Sequence, residues 1–86
     1  MKPILMFVLE TCPYCTQALK WMTELREENP AYASIEVNII DEDKQPDFAK
    51  SFNYYYVPTY YIEEDKVHEG IPTKEKIKAI FDKAIE

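Results

Sequence analysis

Two cysteines separated by two residues are the side chains of this sequence best suited to chemistry. Cys12 and Cys15 enclose Pro13 and Tyr14, and no other cysteine occurs in the chain of 86 residues. A cysteine thiolate is a nucleophile, and a second thiol beside it can close a disulfide. The spacing therefore predicts a pair that alternates between a dithiol and a disulfide, in which Cys12 attacks and Cys15 resolves.

These cysteines lie where a predicted strand is followed by a predicted helix. Ile4 to Leu9 is a continuous apolar run, typical of a central strand buried on both faces. Apolar residues at helical spacing, with a proline in the first turn, then predict a helix from about Pro13 to Glu28; they are Cys15, Ala18, Leu19, Met22 and Leu25. Cys12 therefore belongs at a helix N-terminus, where free N–H groups and the helix dipole favour a thiolate.

The rest of the chain predicts three more strands and two more helices. The strands are indicated by the alternating Ile35, Val37 and Ile39, by Val57 to Ile62, and by Lys66 to Glu69 after the connection Glu63-Glu64-Asp65. The helices are a short one with Phe48, Ala49 and Phe52, and a last one capped by Thr73 that carries Ile77, Ile80, Phe81, Ala84 and Ile85. The order β-α-β-α-β-β-α predicts one α/β domain over residues 1–86, with a right-handed parallel βαβ unit, an antiparallel hairpin and helices on both faces.

The composition and charge of the chain argue against several classes of binding partner. The chain is 47% apolar and 14% aromatic, as expected of a globular domain. Its formal net charge of -6 argues against nucleic acid or an anionic membrane as partner. No apolar run approaches the roughly 20 residues of a transmembrane helix. With two cysteines and no recognisable export signal, we expect a reducing, cytoplasmic compartment. Nothing in the sequence requires a dimer, so we expect a monomer.

Two other interpretations of the cysteine pair are weaker. A structural zinc site needs four ligands, and His68 is the only histidine available to complete one. Two inert core cysteines would have no need to share a helix start after an apolar strand. The acidic cluster Asp41 to Asp43 lacks the continuation of an EF-hand and is typical of a solvated turn. We therefore predict no metal site.

Two segments of the chain resemble the motifs of a known family. Cys12-Pro13-Tyr14-Cys15, followed by Val57-Pro58-Thr59 at the start of a later strand, resembles the dithiol glutaredoxins of the thioredoxin superfamily over nearly the whole sequence. The resemblance implies a thioredoxin fold, with a mixed four-stranded sheet flanked by three helices. It also implies a cis Pro58 that faces the active-site disulfide, with Val57 offering backbone groups to the substrate and Thr59 beside them. A proline at a strand start is independently a candidate for a cis peptide bond.

Departures from the glutaredoxin pattern lie on both sides of the predicted site. Leu9-Glu10-Thr11 stands where the family commonly has a basic residue, so Glu10 should repel glutathione and oppose the Cys12 thiolate. The stretch from Glu69 to Lys74 keeps a single glycine with no acid after it, and is more similar to the same region of thioredoxins. Tyr14 and Thr73 are the residues that we expect still to contact glutathione, while Thr11, Pro13 and Glu10 modulate the site.

The function predicted from these residues is that of a thiol–disulfide oxidoreductase with no bound cofactor. Its substrates are disulfide-containing proteins or glutathione mixed disulfides, and Cys12 and Cys15 cycle between dithiol and disulfide. Glutathione as co-substrate, or a flavin-dependent thioredoxin reductase, would regenerate the dithiol. A different class of function is a non-catalytic module that binds a partner through the tyrosine-rich surface from Tyr54 to Tyr61, since such residues are enriched at interfaces. We expect one of Tyr54 to Tyr56 to border the site.

Overall fold

A central four-stranded sheet carries the helices of this protein. The computed structural model describes residues 1–86. In chain order the elements are β1 (Ile4–Val8), α1 (Pro13–Glu28), a 3-10 turn (Pro30–Tyr32), β2 (Val37–Asp41), α2 (Pro46–Lys50), β3 (Thr59–Ile62), β4 (Asp65–Glu69) and α3 (Lys74–Ala84). This order confirms the predicted β-α-β-α-β-β-α sequence of elements.

Strand β1 occupies a central position in the sheet, whose order is β2-β1-β3-β4. It pairs in parallel with β2, from Ile4 beside Val37 to Val8 beside Asp41. On its other edge it pairs antiparallel with β3, and β3 continues into the antiparallel β4. A strand paired on both edges and covered on both faces has no exposed side, which explains its continuous apolar sequence.

Helices cover both faces of the sheet, as predicted. Ile4, Met6 and Val8 point to one face and belong to a core with the buried residues of α1 and α3: Cys15, Ala18, Met22, Leu25, Ile77, Ile80, Phe81 and Ala84. Phe7 points to the other face and packs with Ala49 of α2 and with Tyr61. Alternation along β1 therefore divides the core into two layers.

The two long helices begin at the predicted residues. Pro13 is the first residue of α1, where its missing N–H would have had no intrahelical partner. Thr73 caps α3, because its side-chain oxygen accepts a hydrogen bond from the N–H of Lys76 at 3.1 Å. None of the helices combines the length and the apolar composition that crossing a bilayer requires.

The second strand lies later in the chain than its alternation predicted. Ile35 is buried but precedes β2, and Ile39 is 48% exposed within it. The predicted alternation is correct for Ile35, which belongs to the core, and for Val37, which packs against it, but not for Ile39. The bounds of the strand were predicted two residues too early. The cause is the register with β1: the N–H of Ile4 donates to the carbonyl of Glu36, so the parallel ladder runs from Val37 to Asp41.

Three other boundaries differ by a few residues. β3 begins at Thr59 and not at Val57, since Pro58 has no N–H to donate to a ladder. The hairpin turn consists of Glu63 and Glu64, because Asp65 already pairs with Ile62. Phe52 lies beyond the end of α2, although its ring still packs against Phe7 at a centroid distance of 4.9 Å.

Candidate active site

Cys12 is the N-cap of α1, at the end of the short turn that leaves β1. Its backbone is extended (φ -87, ψ 112), and its N–H donates to the Leu9 carbonyl at 3.1 Å. Its sulfur accepts a hydrogen bond from the N–H of Cys15 at 3.4 Å. The Cys12 sulfur thus takes the place of the side-chain oxygen in an ordinary N-cap, and the helix N-terminus favours negative charge on it.

The environment of Cys15 favours the protonated thiol. Its side chain is buried, with 2% of its surface exposed, and both cysteines are free thiols. Burial raises the pKa of the Cys15 thiol to about 12, and a hydrogen bond with Cys12 and the charges of Cys12 and Glu42 act in the same direction. Cys15 is therefore a protonated thiol at neutral pH, while the half-buried Cys12 lies nearer the surface. This asymmetry suits an attacking Cys12 and a resolving Cys15.

The segment before β3 forms the side of the site opposite α1. The thiol of Cys12 donates to the carbonyl of Val57 at 3.8 Å. The Val57–Pro58 peptide bond is cis, which confirms the predicted conformation. Pro58 and Thr59 are buried, and the Thr59 hydroxyl donates to the carbonyl of Tyr56. Thr59 therefore holds the segment in place through its side chain, whereas Val57 is the partly exposed member of this predicted trio.

An apolar groove lies beside Val57. It has a volume of about 380 Å³ and is lined by Tyr14, Tyr56, Val57, Gly70 and Ile71. Tyr14 is 50%, Ile71 62% and Tyr56 70% exposed, so large apolar surface is open to solvent here. None of the five lining residues carries a charge. Exposed apolar surface that is concentrated next to reactive groups is typical of a binding site.

The remaining predicted residues surround the site without lining the groove. Glu10 and Thr11 are exposed in the turn between β1 and α1, and Pro13 is exposed at the first position of α1. Thr73 is the N-cap of α3, so its side-chain oxygen is already occupied by a backbone N–H. His68 contacts the Gly70 carbonyl through Nε2 at 3.0 Å. No three side chains of the metal-ligating types His, Cys, Asp and Glu converge.

Two lysines of the β4–α3 region are engaged with carboxylates. Lys66 Nζ lies 2.7 Å from Glu69 Oε1. Lys74 Nζ lies 3.2 Å from Glu24 Oε1 and 2.6 Å from Glu28 Oε2, which links α3 to α1. Neither lysine is an unpaired cation that would attract an anionic ligand to the groove.

The tyrosine-rich run divides between core and site. Tyr60 and Tyr61 are buried on opposite faces of the sheet, and Tyr54 stacks on Phe7 at a centroid distance of 4.7 Å. Tyr55 is 86% exposed, and Tyr56 lines the groove. Tyr56 is therefore the residue of Tyr54 to Tyr56 that lies at the candidate site.

Sequence reasoning did not identify three residues of this region as parts of the site. Gly70 and Ile71 line the groove, although the sequence marked their segment only for its lack of a second glycine and an acid. Glu69 accepts hydrogen bonds from the backbone N–H groups of Tyr55 and Tyr56. The one available signal was Gly70, the single glycine of the chain, which adopts a positive φ of 94°.

Comparison with known families agrees with this geometry. The model of the family described as Thioredoxin domain matches residues 4–82. The chain belongs to the thioredoxin domain family. Among curated relatives, it is 38% identical to Glutaredoxin 1 of Rickettsia conorii over 68 residues, or 78% of this chain. It is 32% identical to Thioredoxin of Methanocaldococcus jannaschii over 72 residues, which cover 84% of this chain and 82% of that protein.

Both names support a thiol–disulfide redox role, without choosing between the two types of protein. The chain spans 62% of the length of the Rickettsia glutaredoxin.

Solved structures share the fold. The oxidised thioredoxin of Plasmodium falciparum superposes with a TM-score of 0.71 at 20% identity, covering 96% of this chain and 80% of that one. A thioredoxin-like protein of Clostridium perfringens superposes with a TM-score of 0.69 at 25% identity, covering 98% and 71%. The predicted thioredoxin fold, a mixed four-stranded sheet with three helices, is confirmed.

Proposed function

We propose that this protein is a thiol–disulfide oxidoreductase that reduces disulfides in protein segments bound along the apolar groove. The observation that carries the proposal is the arrangement of three groups. The Cys12 sulfur caps α1 beside the Val57 carbonyl, and the Cys15 thiol is buried behind it. This places a nucleophile at the surface, a resolving thiol in reserve, and a backbone acceptor next to the reacting sulfur.

The reaction follows from the positions of the two sulfurs. The Cys12 thiolate attacks one sulfur of the substrate disulfide, so a Cys12–substrate bond forms and the substrate S–S bond breaks. The departing substrate thiolate takes a proton from water. Cys15 then loses its proton and attacks the Cys12 sulfur, which forms the Cys12–Cys15 disulfide and releases the second substrate thiolate. Two electrons pass to the substrate, and an external dithiol or reductase must return them.

The high pKa of Cys15 is compatible with this second step. Part of the shift arises from a hydrogen bond with Cys12 and from negative charge on Cys12. In the mixed disulfide, Cys12 carries no charge, so that part disappears when Cys15 has to ionise. Before the first step, the same effect keeps Cys15 protonated and leaves Cys12 as the nucleophile.

The charges around the groove favour protein substrates over glutathione. Glutathione carries two carboxylates, which need cationic or N–H partners. The groove lining is uncharged, Glu10 lies in the turn before Cys12, and Lys66 and Lys74 are already paired. An apolar groove lined by two tyrosines suits the side chains beside a protein disulfide. We therefore propose a thioredoxin-type reductase as the electron donor, with no bound cofactor in this chain.

Glutathione-dependent turnover is the second candidate. The similarity to the Rickettsia protein named Glutaredoxin 1 and the Cys-Pro-Tyr-Cys motif favour it. Tyr14 lies at the rim of the groove, where it could contact a small thiol.

The deciding experiment uses Cys15→Ser protein, in which Cys12 is the only thiol. Intact mass spectrometry follows its reaction with oxidised glutathione and, separately, with a disulfide-linked peptide that has aromatic residues beside the cysteine. We expect the peptide adduct to form at least roughly tenfold faster, the ratio for about 1.4 kcal/mol of binding. A faster reaction with glutathione would favour the second candidate.

A control separates both candidates from a binding module. Cys12→Ser protein should have no disulfide reductase activity with insulin as substrate and dithiothreitol as donor. Reductase activity that survives this substitution would contradict the role assigned to Cys12. A wild-type protein with no activity above the background from dithiothreitol would instead favour the non-catalytic alternative.

A further inference from the structure

A single carboxylate holds the loop that precedes the cis Val57–Pro58 bond. Glu69, the last residue of β4, accepts hydrogen bonds at Oε2 from the N–H groups of both Tyr55 and Tyr56, the latter at 3.0 Å. Its other oxygen pairs with Lys66 Nζ at 2.7 Å. Hydrogen bonds to an ionised carboxylate are about twice as strong as neutral ones. We call Lys66 and Glu69 the clamp.

The loop needs this support because it has no regular secondary structure. Residues 53–57 lie within the connection between α2 and β3, so their backbone groups require partners outside a helix or ladder. The clamp supplies partners at two places, since Lys66 Nζ also donates to the Asn53 carbonyl at 3.2 Å. The Tyr61 hydroxyl donates to the same carbonyl at 2.9 Å. Side chains of β3 and β4 therefore hold both ends of the loop.

The held loop carries groups of the site. The side chain of Tyr56 forms one wall of the groove, and the Val57 carbonyl lies 3.8 Å from the Cys12 sulfur. Gly70, the residue directly after Glu69, lines the groove too, and its N–H donates to the Pro58 carbonyl at 3.0 Å. A Cβ atom added at Gly70 would lie 3.8 Å from the Cβ of Tyr56, so the Gly70 backbone lies close to the Tyr56 side chain.

We propose that Glu69 is a positioning residue, which fixes Tyr56 and Val57 in the orientation that binds a protein disulfide and takes no part in the sulfur chemistry. The inference rests on the proposed function. A loop that is already ordered loses less conformational freedom when substrate binds, so the clamp should act on KM and leave kcat largely unchanged. The hydrogen bond from Lys66, followed by those from Tyr55 and Tyr56, holds the pKa of the Glu69 carboxyl at about 2. Glu69 is therefore charged at neutral pH.

Two substitutions of Glu69 should raise KM to different extents. Glu69→Ala removes all three interactions of the carboxylate, and Glu69→Gln retains an oxygen that the two N–H groups can reach. We expect KM for a protein disulfide to rise roughly tenfold in Glu69→Ala and about threefold in Glu69→Gln, with kcat within about twofold of wild type. Glu64→Gln is the matched control, because it removes the same charge from the exposed hairpin turn and should leave KM unchanged.

A measurement without substrate tests the loop itself. In 1H–15N spectra, the amides of Tyr55 and Tyr56 should shift upfield in Glu69→Ala, and their hydrogen exchange should accelerate roughly tenfold relative to amides of β1. The spectra of both variants also report whether the fold is retained. Glu69→Gln, which preserves the shape of the side chain, serves if Glu69→Ala does not fold.

The outcomes distinguish this inference from the proposed function. An unchanged KM, or a loss confined to kcat, in a folded Glu69 variant of an active enzyme would overturn the positioning role and leave the function intact. Unchanged Tyr55 and Tyr56 amides would overturn it as well. A wild-type protein without reductase activity would instead refute the proposed function, and the inference with it.

Discussion

The two sides of the site are built from different kinds of interaction. On the α1 side, Cys12 and Cys15 are adjacent because one helical turn separates them, and a backbone N–H orients the Cys12 sulfur. On the opposite side, the loop before β3 meets the end of β4 through hydrogen bonds from the backbone N–H groups of Tyr55 and Tyr56 to the Glu69 side chain. The first side needs only a helix, whereas the second needs three segments to pack correctly. The position of the two sulfurs thus depends on residues within one helical turn. The proposed substrate groove depends on the packing of segments that are distant in the chain.

The strongest test of this division is to remove each sulfur separately. Cys12→Ser should lower disulfide reduction on the order of a thousandfold or more, since a hydroxyl is a far weaker nucleophile than a thiolate at neutral pH. Cys15→Ser should still form the mixed disulfide but fail to release it. Intact mass spectrometry after mixing with a disulfide peptide would detect the trapped adduct. Equal trapping by both variants would contradict the assigned roles.

On the recognition side, neighbouring tyrosines provide a matched pair. Tyr56→Ala removes a wall of the groove and should raise KM for a protein disulfide by roughly tenfold, a typical loss for an aromatic contact residue. Tyr55→Ala removes a side chain that is more exposed but does not line the groove, and should change KM by less than about twofold. Steady-state kinetics with insulin would separate them. Equal effects of the two substitutions would argue against the groove as the substrate site.

The burial of Cys15 predicts a pH-dependent stability. Its pKa rises from an ordinary 9.0 to about 12 on folding, so the folded state retains the proton more strongly. This contribution is fully present below pH 9 and is lost as the pH rises from about 9 towards 12. Denaturant unfolding of the reduced protein should therefore show an alkaline loss larger by roughly 1–2 kcal/mol at pH 11 than that of Cys15→Ser. Parallel pH profiles of the two proteins would show that burial does not control this thiol.

Substitution of Thr73 should have the smallest effect on stability or activity, and it tests whether this residue belongs to the site. Because its side chain caps α3, Thr73→Ala should lower the free energy of unfolding by about 1 kcal/mol. Reaction of Cys12 with oxidised glutathione should be unaffected, since Thr73 does not line the groove. Thermal unfolding and the mass-spectrometric assay test the two statements. A slower reaction with glutathione at unchanged stability would support the predicted contact between Thr73 and glutathione.

The features that the sequence predicted correctly are those of the α1 side, which depend on nearby residues. The run of apolar residues in β1, the periodicity of α1 and the position of Pro13 are local patterns, and they placed Cys12 correctly at the helix start. Prediction of β2 was wrong by two residues because its register is determined by hydrogen bonds to β1, which lies more than 30 residues earlier. Glu69 escaped notice because nothing in its own neighbourhood indicates that its carboxylate accepts N–H groups from Tyr55 and Tyr56.

The sequence by itself determined the reactive pair, the order of the elements and the cap of the last helix, since each depends on residues within one or two helical turns. What faces the pair depends on the tertiary structure, and the sequence indicated Val57 and Pro58 there only through the family resemblance. Val57, 45 residues from Cys12, supplies the carbonyl beside the sulfur, and Gly70 and Ile71 complete the groove. Such contacts depend on the pairing of strands distant in the chain, and a single residue of slip would turn every side chain of a strand to the other face.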